Sequence, residues 1–220
     1  MISQLEAEND LGRGFHLISE EAGERDYGGG GAVIIVDPID GSHNAKMGIP
    51  YFSLTLAAAS DRTYGGVREG CVRNLVTGDH FEASRGGGAT VNGAPIRLVA
   101  ADDTINVLQF EATRLADHLD EYRELLLGAE KVRALGSAAL NICLVASGAV
   151  SVSLAPSLRS VDCAAPLLVL TEAGGVASDW EGAALDGLDL ALDVRPSVVT
   201  AGSQELLENA LRKLRPSPLR

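Results

Sequence analysis

The hydrophobic pattern of the first hundred residues predicts mainly β-strands. The unbroken apolar run at residues 32–36 is typical of a buried strand, and residues 52–59 alternate before they become apolar throughout. A shorter apolar segment at residues 14–18 predicts a strand that leads into a pair of glutamates. The polar residues 1–12 before it resemble the tail of a helix.

Turn signals in this half predict antiparallel pairing. Segments 65–74 and 78–83 predict two strands joined by a turn, and Asn92-Gly93 is a hairpin signal between two further short segments. Four consecutive glycines at residues 28–31 predict a flexible turn, because the Lys-Ser/Thr pair of a phosphate-binding P-loop is absent.

The pattern changes to helical spacing after a polar joint at residues 101–104. Helices are expected at residues 114–127, 137–146, 162–173 and 204–214. The third should end at Gly174-Gly175, and Pro166 in its first turns should cost little. We therefore expect an N-terminal α+β subdomain at 1–104 and a C-terminal α/β subdomain at 105–220.

Composition and charge exclude several classes of function. Hydrophobic residues make up 46% of the 220 residues, which predicts a globular chain with a sizeable core. A formal net charge of −12 argues against a nucleic-acid polymer as partner. No apolar run is long enough to span a bilayer, and no signal-peptide pattern is present, so we expect a cytoplasmic protein. The cysteines and histidines lack the paired spacing of a zinc site.

Carboxylates lie at the ends of several predicted elements. They are Glu20 and Glu21 after the first strand, Asp37 and Asp40 after the second, and Asp162 at the start of a buried helix. Carboxylate oxygens are the ligands that Mg²⁺ prefers, and unpaired carboxylates beside apolar residues would be costly. The combination predicts a metal site for phosphate chemistry.

Each of these pieces also has an ordinary structural explanation. Asp37-Pro38 and Asp40-Gly41 are common turn dipeptides, and Glu20-Glu21 suits a solvated pair. Asp162 suits a helix N-cap. An EF-hand loop is excluded, because acidic residues do not alternate before the glycine. Only the combination and order of the pieces favour a metal site.

Gly41 and Ser42 add a group that can bind phosphate. Their backbone N–H groups would hold a phosphate if a helix begins there, and Ser42 Oγ would orient a water toward Glu20. Of two bound metal ions, one would activate that water near neutral pH, and the other would stabilise the leaving alkoxide.

Five sequence blocks follow one another in a distinctive order. They are ISEE at 18–21, VDPIDGSHN at 36–44, GGGATVNG at 86–93, RALGSAALN at 133–141, and VDCAA at 161–165 with EAGG at 172–175. Over about residues 10 to 205, this pattern resembles the inositol monophosphatase family, the lithium-sensitive Mg²⁺-dependent sugar phosphatases. It looks most like the archaeal members that act on both inositol monophosphate and fructose-1,6-bisphosphate.

The resemblance implies an α+β fold with αβαβα layers, usually a homodimer, and two or three Mg²⁺ ions, with Mn²⁺ as an alternative. The implied metal ligands are the side chains of Glu20, Asp37, Asp40 and Asp162 and the carbonyl oxygen of Ile39. The implied catalytic residues are Glu20, Asp40 and Ser42. The implied phosphate and sugar contacts are Gly41, Ser42, Gly136, Ser137 and Ala138.

Three departures from the family pattern bear on the substrate and the fold. Val161 replaces the usual tryptophan, and Ala155 stands where inositol-binding members often carry an acidic residue. Arg159 nearby would contact a second phosphate, which favours a broader sugar-phosphate substrate; the alternative is a surface residue paired with an acidic neighbour. The helices that family members carry before the Glu-Glu block are short or missing.

We therefore expect a Mg²⁺-dependent phosphomonoesterase that hydrolyses small sugar or polyol phosphates by metal-activated water. Inositol monophosphate and fructose-1,6-bisphosphate are the expected substrates. A nucleotide phosphatase acting on 3′-phosphoadenosine phosphate or NADP is one alternative. A non-catalytic, metal-binding relative is another.

Overall fold

The computed structural model describes residues 14–28, 31–99, 103–113 and 115–214, so the helix expected at 1–12 lies outside the described residues. The first half forms an eight-stranded sheet. Its strands are β1 (Phe15–Ser19), β2 (Gly23–Tyr27), β3 (Ala32–Asp40), β4 (Ser53–Ala59), β5 (Val67–Asn74), β6 (His80–Ser84), β7 (Gly88–Val91) and β8 (Ala94–Ile96). A short helix, α1 (Ser42–Met47), follows β3.

The strands of this sheet lie in the order β2-β1-β3-β4-β5-β6-β7-β8. Neighbouring strands are antiparallel except β1 and β3, which are parallel. The hairpin expected at Asn92-Gly93 is confirmed, because both residues have positive φ, 52° and 76°, and join β7 to β8.

The expectation that the second strand ends at Val36 is wrong. Strand β3 continues through Asp40, with a register shift between Asp37 and Asp40 in its pairing with β4. Pro38 inside this stretch has no N–H to donate to the ladder, which accounts for the irregularity. Both aspartates therefore belong to a distorted strand and not to a turn.

The second half contains the four expected helices and the sheet that an α/β subdomain implies, although the hydrophobic pattern did not locate its five strands. Its elements are β9 (Val107–Phe110), α2 (Leu119–Gly128), β10 (Lys131–Arg133), α3 (Ala138–Ala146), β11 (Val152–Ala155), α4 (Ser160–Glu172), β12 (Val176–Ser178), β13 (Val198–Ala201) and α5 (Gln204–Lys213). The strand order is β10-β9-β11-β13-β12. Strands of three or four residues, such as β11 with every residue buried, show no alternation by which to recognise them.

The two sheets enclose a layer of helices. Helix α4 packs on β3 to β7 and on α3, and α3 also contacts β11 and β13. Helices α2 and α5 pack together, and α5 lies on β11, β12 and β13. One apolar core therefore fills the space around α3 and α4, and a second lies beneath α2 and α5.

This layered arrangement confirms the expected α+β fold class. The expectation that the helices before β1 are short or missing concerns residues that lie outside the described ranges. The larger core draws residues from both halves, from Ile35 and Val72 to Leu140 and Leu168. The subdomain boundary at residues 104 and 105 stays a prediction.

Pro166 is the seventh residue of α4 and lies in its second turn, as expected, and its small cost stays a prediction. Proline has no N–H, and the carbonyl oxygen of Asp162 therefore lacks its usual donor four residues along the helix. Within the described ranges, no helix is long and apolar enough to cross a membrane.

Candidate metal and phosphate site

Three carboxylates from distant parts of the chain meet at the C-terminal ends of strands β1 and β3. Glu20 directly follows β1, Asp37 lies in β3, and Asp162 lies in the first turn of α4. Parallel pairing sets Glu20 beside Asp37, because the Glu20 N–H donates to the carbonyl oxygen of Val36 at 3.3 Å. One carboxylate oxygen from each of the three residues lies within 4.8 Å of the others.

Burial and like charge act on the carboxylates of this cluster. The pKa of Asp162 is raised to about 8, chiefly by burial and also by the charges of Asp40 and Asp37, while the charges of Arg159 and Arg195 oppose the shift. Burial likewise raises the pKa of Asp37 to about 6, although the Ile39 N–H donates to its Oδ1 at 2.9 Å. The metal-free cluster is thus electrostatically unfavourable.

Asp162 provides a direct test of whether a metal ion fits. Its Oδ1 atom is buried and has no hydrogen-bond partner among the described residues. A buried carboxylate oxygen without a donor is costly, and a hard divalent cation bound by oxygen ligands removes that cost. The donor set of Glu20, Asp37 and Asp162 therefore fits a Mg²⁺-type ion.

Asp40 lies beside this cluster but is held by donors from both halves of the chain. Its Oδ2 accepts hydrogen bonds from the hydroxyls of Ser53, at 3.1 Å, and Ser137, and from the Ala139 N–H at 3.0 Å. Its Oδ1 accepts the Ala138 N–H at 3.2 Å. Burial raises the pKa of Asp40, while these donors oppose the shift. Metal binding by Asp40 and by the Ile39 carbonyl oxygen stays a prediction.

Two glycines and an asparagine join the end of β3 to the loop before α3. Asn44 Nδ2 donates to the carbonyl oxygens of Tyr51 and Leu135, at 2.8 and 2.7 Å. A Cβ on Gly41 (φ +85°) would lie 3.0 Å from the Gly136 carbonyl oxygen. A Cβ on Gly136 (φ +86°) would lie 2.9 Å from Asn44 Nδ2. Both positions therefore require glycine.

The roles expected of the phosphate and sugar contacts stay predictions. Ser42 is the exposed first residue of α1, and Gly41 is its N-cap. Ser137 is fully buried, and its hydroxyl donates to Asp40 and accepts the Leu140 N–H at 3.3 Å. Gly136 precedes Ser137 in the loop, and Ala138 follows it as the first residue of α3.

Arg159 pairs directly with Glu20, through Nη1 and Oε1. The side chains are 39% and 25% exposed, so the pair lies at the entrance of the cluster. Of the two sequence interpretations, the structure shows the pairing with an acidic neighbour, and that neighbour is one of the expected metal ligands.

Sequence reasoning missed the residues that support Asp40. Ser53 and Ala139 had no assigned role, and Asn44 was noted only as part of the VDPIDGSHN block. The block itself was the available signal for Asn44. Ala139 lies in the RALGSAALN block, which was its available signal, whereas no local pattern marks Ser53.

Comparison with known proteins identifies the family of the chain. The sequence model of the inositol monophosphatase family matches residues 5–218. A fructose-1,6-bisphosphatase/inositol-1-monophosphatase of Methanothermobacter thermautotrophicus is 33% identical over 215 residues, covering 92% of this chain and 76% of the relative. A bifunctional NADP phosphatase/NAD kinase of Methanococcus maripaludis is 30% identical, covering 89% of this chain and 38% of the relative.

Solved structures show the same fold. A Pyrococcus horikoshii protein described as similar to inositol-1 monophosphatase superposes with a TM-score of 0.82 at 25% identity, covering 98% of this chain and 81% of its own. The extragenic suppressor protein suhB of Bartonella henselae gives a TM-score of 0.80 at 27% identity, with 91% and 76% covered. The chain belongs to the inositol monophosphatase family, whose members are metal-dependent phosphatases.

Proposed function

We propose that this protein hydrolyses small sugar or polyol phosphates, inositol monophosphate and fructose-1,6-bisphosphate among them, in a Mg²⁺-dependent reaction. The observation that carries the proposal is the convergence of Glu20, Asp37 and Asp162 with a buried, unpartnered Asp162 oxygen. When bound, two or three Mg²⁺ ions, or Mn²⁺, supply Lewis-acid activation of water and neutralise phosphate charge.

The proposal gives each site residue a task. The ions would be held by Glu20, Asp37, Asp40 and Asp162 and by the Ile39 carbonyl oxygen. Glu20 and Ser42 would accept and orient the protons of the attacking water, with Asp40 as a further catalytic residue. The phosphate and the sugar would contact Gly41, Ser42, Gly136, Ser137, Ala138 and Arg159.

Two observations support a sugar-phosphate substrate. The Methanothermobacter relative carries both activities in its name and matches most of this chain. Ala155 presents only a methyl group at the end of β11, and Arg159 places a cation beside the metal cluster. An anionic second group therefore suits this entrance better than a neutral polyol ring alone.

A nucleotide phosphatase is the second candidate. The Methanococcus relative is named for NADP phosphatase and NAD kinase activities, and it matches 89% of this chain. NADP also carries further phosphates beyond the one removed, so Arg159 would suit it as well.

Phosphate release tests these alternatives. The panel contains inositol-1-phosphate, fructose-1,6-bisphosphate, NADP and 3′-phosphoadenosine phosphate, each with Mg²⁺, with Mg²⁺ plus Li⁺, and with a chelator. We expect Mg²⁺-dependent, Li⁺-inhibited release that is greatest for fructose-1,6-bisphosphate or inositol-1-phosphate. Greater release from NADP would favour the second candidate. No release from any substrate, with metal binding intact, would favour a non-catalytic relative.

We also propose a cytoplasmic homodimer. Cys71, Cys143 and Cys163 are free thiols, which suits a reducing compartment. Size-exclusion chromatography with light scattering measures the mass of the particle, and a monomer at micromolar concentration would contradict the dimer.

A further inference from the structure

Arg159 is joined to the acidic cluster by a direct ion pair. Its Nη1 contacts Oε1 of Glu20, and its own backbone forms the N-cap of α4, three positions before Asp162. The N-cap backbone is extended, with φ −64° and ψ 135°, and is anchored by the helix that follows. The guanidinium lies at the end of a long side chain that is 39% exposed. Only side-chain rotation is therefore needed to break the pair.

The charges around Arg159 are strongly unbalanced. Glu20, Asp37 and Asp162 cluster within 4.8 Å, and the buried Asp40 lies close enough to act on Asp162. Among the described residues, Arg159 alone forms an ion pair with any of these four. Arg195 also acts on Asp162 through its charge, but its guanidinium donates to the carbonyl oxygens of Leu192 and Val194.

We propose that Arg159 and a divalent metal ion compete for Glu20, so that the guanidinium balances the cluster in the metal-free protein and yields the carboxylate when metal binds. This inference rests on the metal centre of the proposed function. The physical reason is that both cations need the same carboxylate, and two cations sharing it in a partly buried site repel each other.

The competition gives Arg159 two successive partners. Without metal it holds Glu20 in place and reduces the repulsion among the carboxylates. After metal binding, its guanidinium is free to pair with a second anionic group on the substrate. Arg159 is thus a positioning residue for Glu20, and metal loading makes it available to the substrate.

Calorimetric titration with Mg²⁺ or Mn²⁺ tests the competition directly. The proteins are wild type, Arg159→Gln, Arg159→Lys and the matched control Arg195→Gln. We expect Arg159→Gln to bind metal about tenfold more tightly, because a competing charge beside the site is removed. Arg159→Lys keeps the charge and should bind within about threefold of wild type. Arg195→Gln should change the affinity less than Arg159→Gln, because Arg195 does not contact Glu20.

Thermal unfolding adds a measurement that does not involve activity. In chelator, Arg159→Gln should melt at a lower temperature than the wild type. Saturating Mg²⁺ should raise the Tm of Arg159→Gln by more than it raises the Tm of the wild type. The wild-type protein with ¹⁵N-labelled arginine gives an independent readout if the variant does not fold. The Arg159 Nε resonance, assigned by its loss in Arg159→Lys, should shift on Mg²⁺ addition.

Three results would overturn the inference. Metal binding by Arg159→Gln that is unchanged or weaker would show that Arg159 does not compete. If Mg²⁺ does not change the chemical shift of the Arg159 Nε resonance, that result would also show that Arg159 does not compete with metal. Absence of metal binding by the wild type would overturn the proposed metal centre as well. Loss of phosphatase activity with normal metal competition would instead contradict only the proposed reaction.

Discussion

Two aspartates at this site have opposite surroundings. Asp162 has a buried oxygen that no donor reaches, whereas Asp40 accepts hydrogen bonds from two hydroxyls and two backbone N–H groups. The buried oxygen of Asp162 is unsatisfied in the absence of a cation, whereas Asp40 is already held by four donors of the fold. The same substitution should therefore have opposite effects at the two positions.

Asp162→Asn removes a charge from a repelling cluster. In chelator above pH 8, where Asp162 of the wild type is ionised, we expect the free energy of unfolding to rise by about 1 kcal/mol, because an amide at this site is not repelled by Asp37 and Asp40. Metal-dependent stabilisation and phosphatase activity should both be lost, the activity by at least about a hundredfold. Urea unfolding with and without Mg²⁺ measures the first two. A variant less stable than wild type in chelator would contradict the electrostatic argument.

Asp40→Asn should destabilise the fold as well as abolish turnover. An asparagine has one acceptor oxygen, and its NH₂ group would face donors that now point at Oδ2. We expect a loss of about 3 kcal/mol in the free energy of unfolding. Ser53→Ala removes a single neutral donor and should cost about 1 kcal/mol. Equal losses for the two variants in urea unfolding would refute this distinction.

The metal-free protein should lose stability as the pH rises. Asp37 and Asp162 bind their protons more tightly in the folded chain, where their pKa values are about 6 and about 8, than at the ordinary 3.8. These two bound protons contribute most to the free energy of unfolding below pH 4. That contribution is lost progressively as the pH rises to about 8. Urea midpoints in chelator across this range provide the measurement, and Asp162→Asn should flatten the upper part of the curve.

At the scale of elements, the sequence predicted structure where patterns are long or turns are distinctive. The strands from β4 to β8 and the buried helices α3 and α4 were expected near their observed bounds. The continuation of β3 was missed because Asp-Pro and Asp-Gly are common in turns, and pairing with β4 overrides that preference. The strands of the second sheet were not located because they are too short to show a period.

The junction between β3 and the loop before α3 should be sensitive to a single methyl group. Gly136→Ala would add strain at φ +86° and bring Cβ to 2.9 Å from Asn44 Nδ2. Gly148→Ala is a matched control, with φ +76° and a nearest contact of 3.7 Å. We expect about 1 kcal/mol of destabilisation for the control and about 2 kcal/mol more for Gly136→Ala. Similar Tm values for both would show that the contact with Asn44 is unimportant.

At the scale of the molecule, the site depends on contacts between distant parts of the chain. The sequence blocks identified the candidate ligands, because each block carries its own local pattern. The support of Asp40 could not be predicted, since its donors in α3 lie 97 to 99 residues further along. The sequence likewise could not predict the pairing of Arg159 with Glu20, because the two residues are distant in the chain and meet only where α4 packs near the end of β1.

Metal binding should therefore stabilise the whole fold. Because the proposed ligands lie directly after β1, in β3 and in α4, an ion bound by all three would resist their separation. At a Mg²⁺ concentration about a hundred times Kd, we expect a gain of about 2.7 kcal/mol in unfolding free energy. Differential scanning calorimetry before and after chelation measures it. A Tm that does not depend on Mg²⁺ would contradict a shared site.

The long separation between Asp40 and its donors has a consequence during protein synthesis. When the ribosome has delivered only the first sheet, the loop and helix start that hold Asp40 do not yet exist. Asp162 also arrives later, so an early fragment has neither the complete ligand set nor a settled Asp40. A growing chain thus lacks the complete set of proposed metal ligands until α4 has been synthesised.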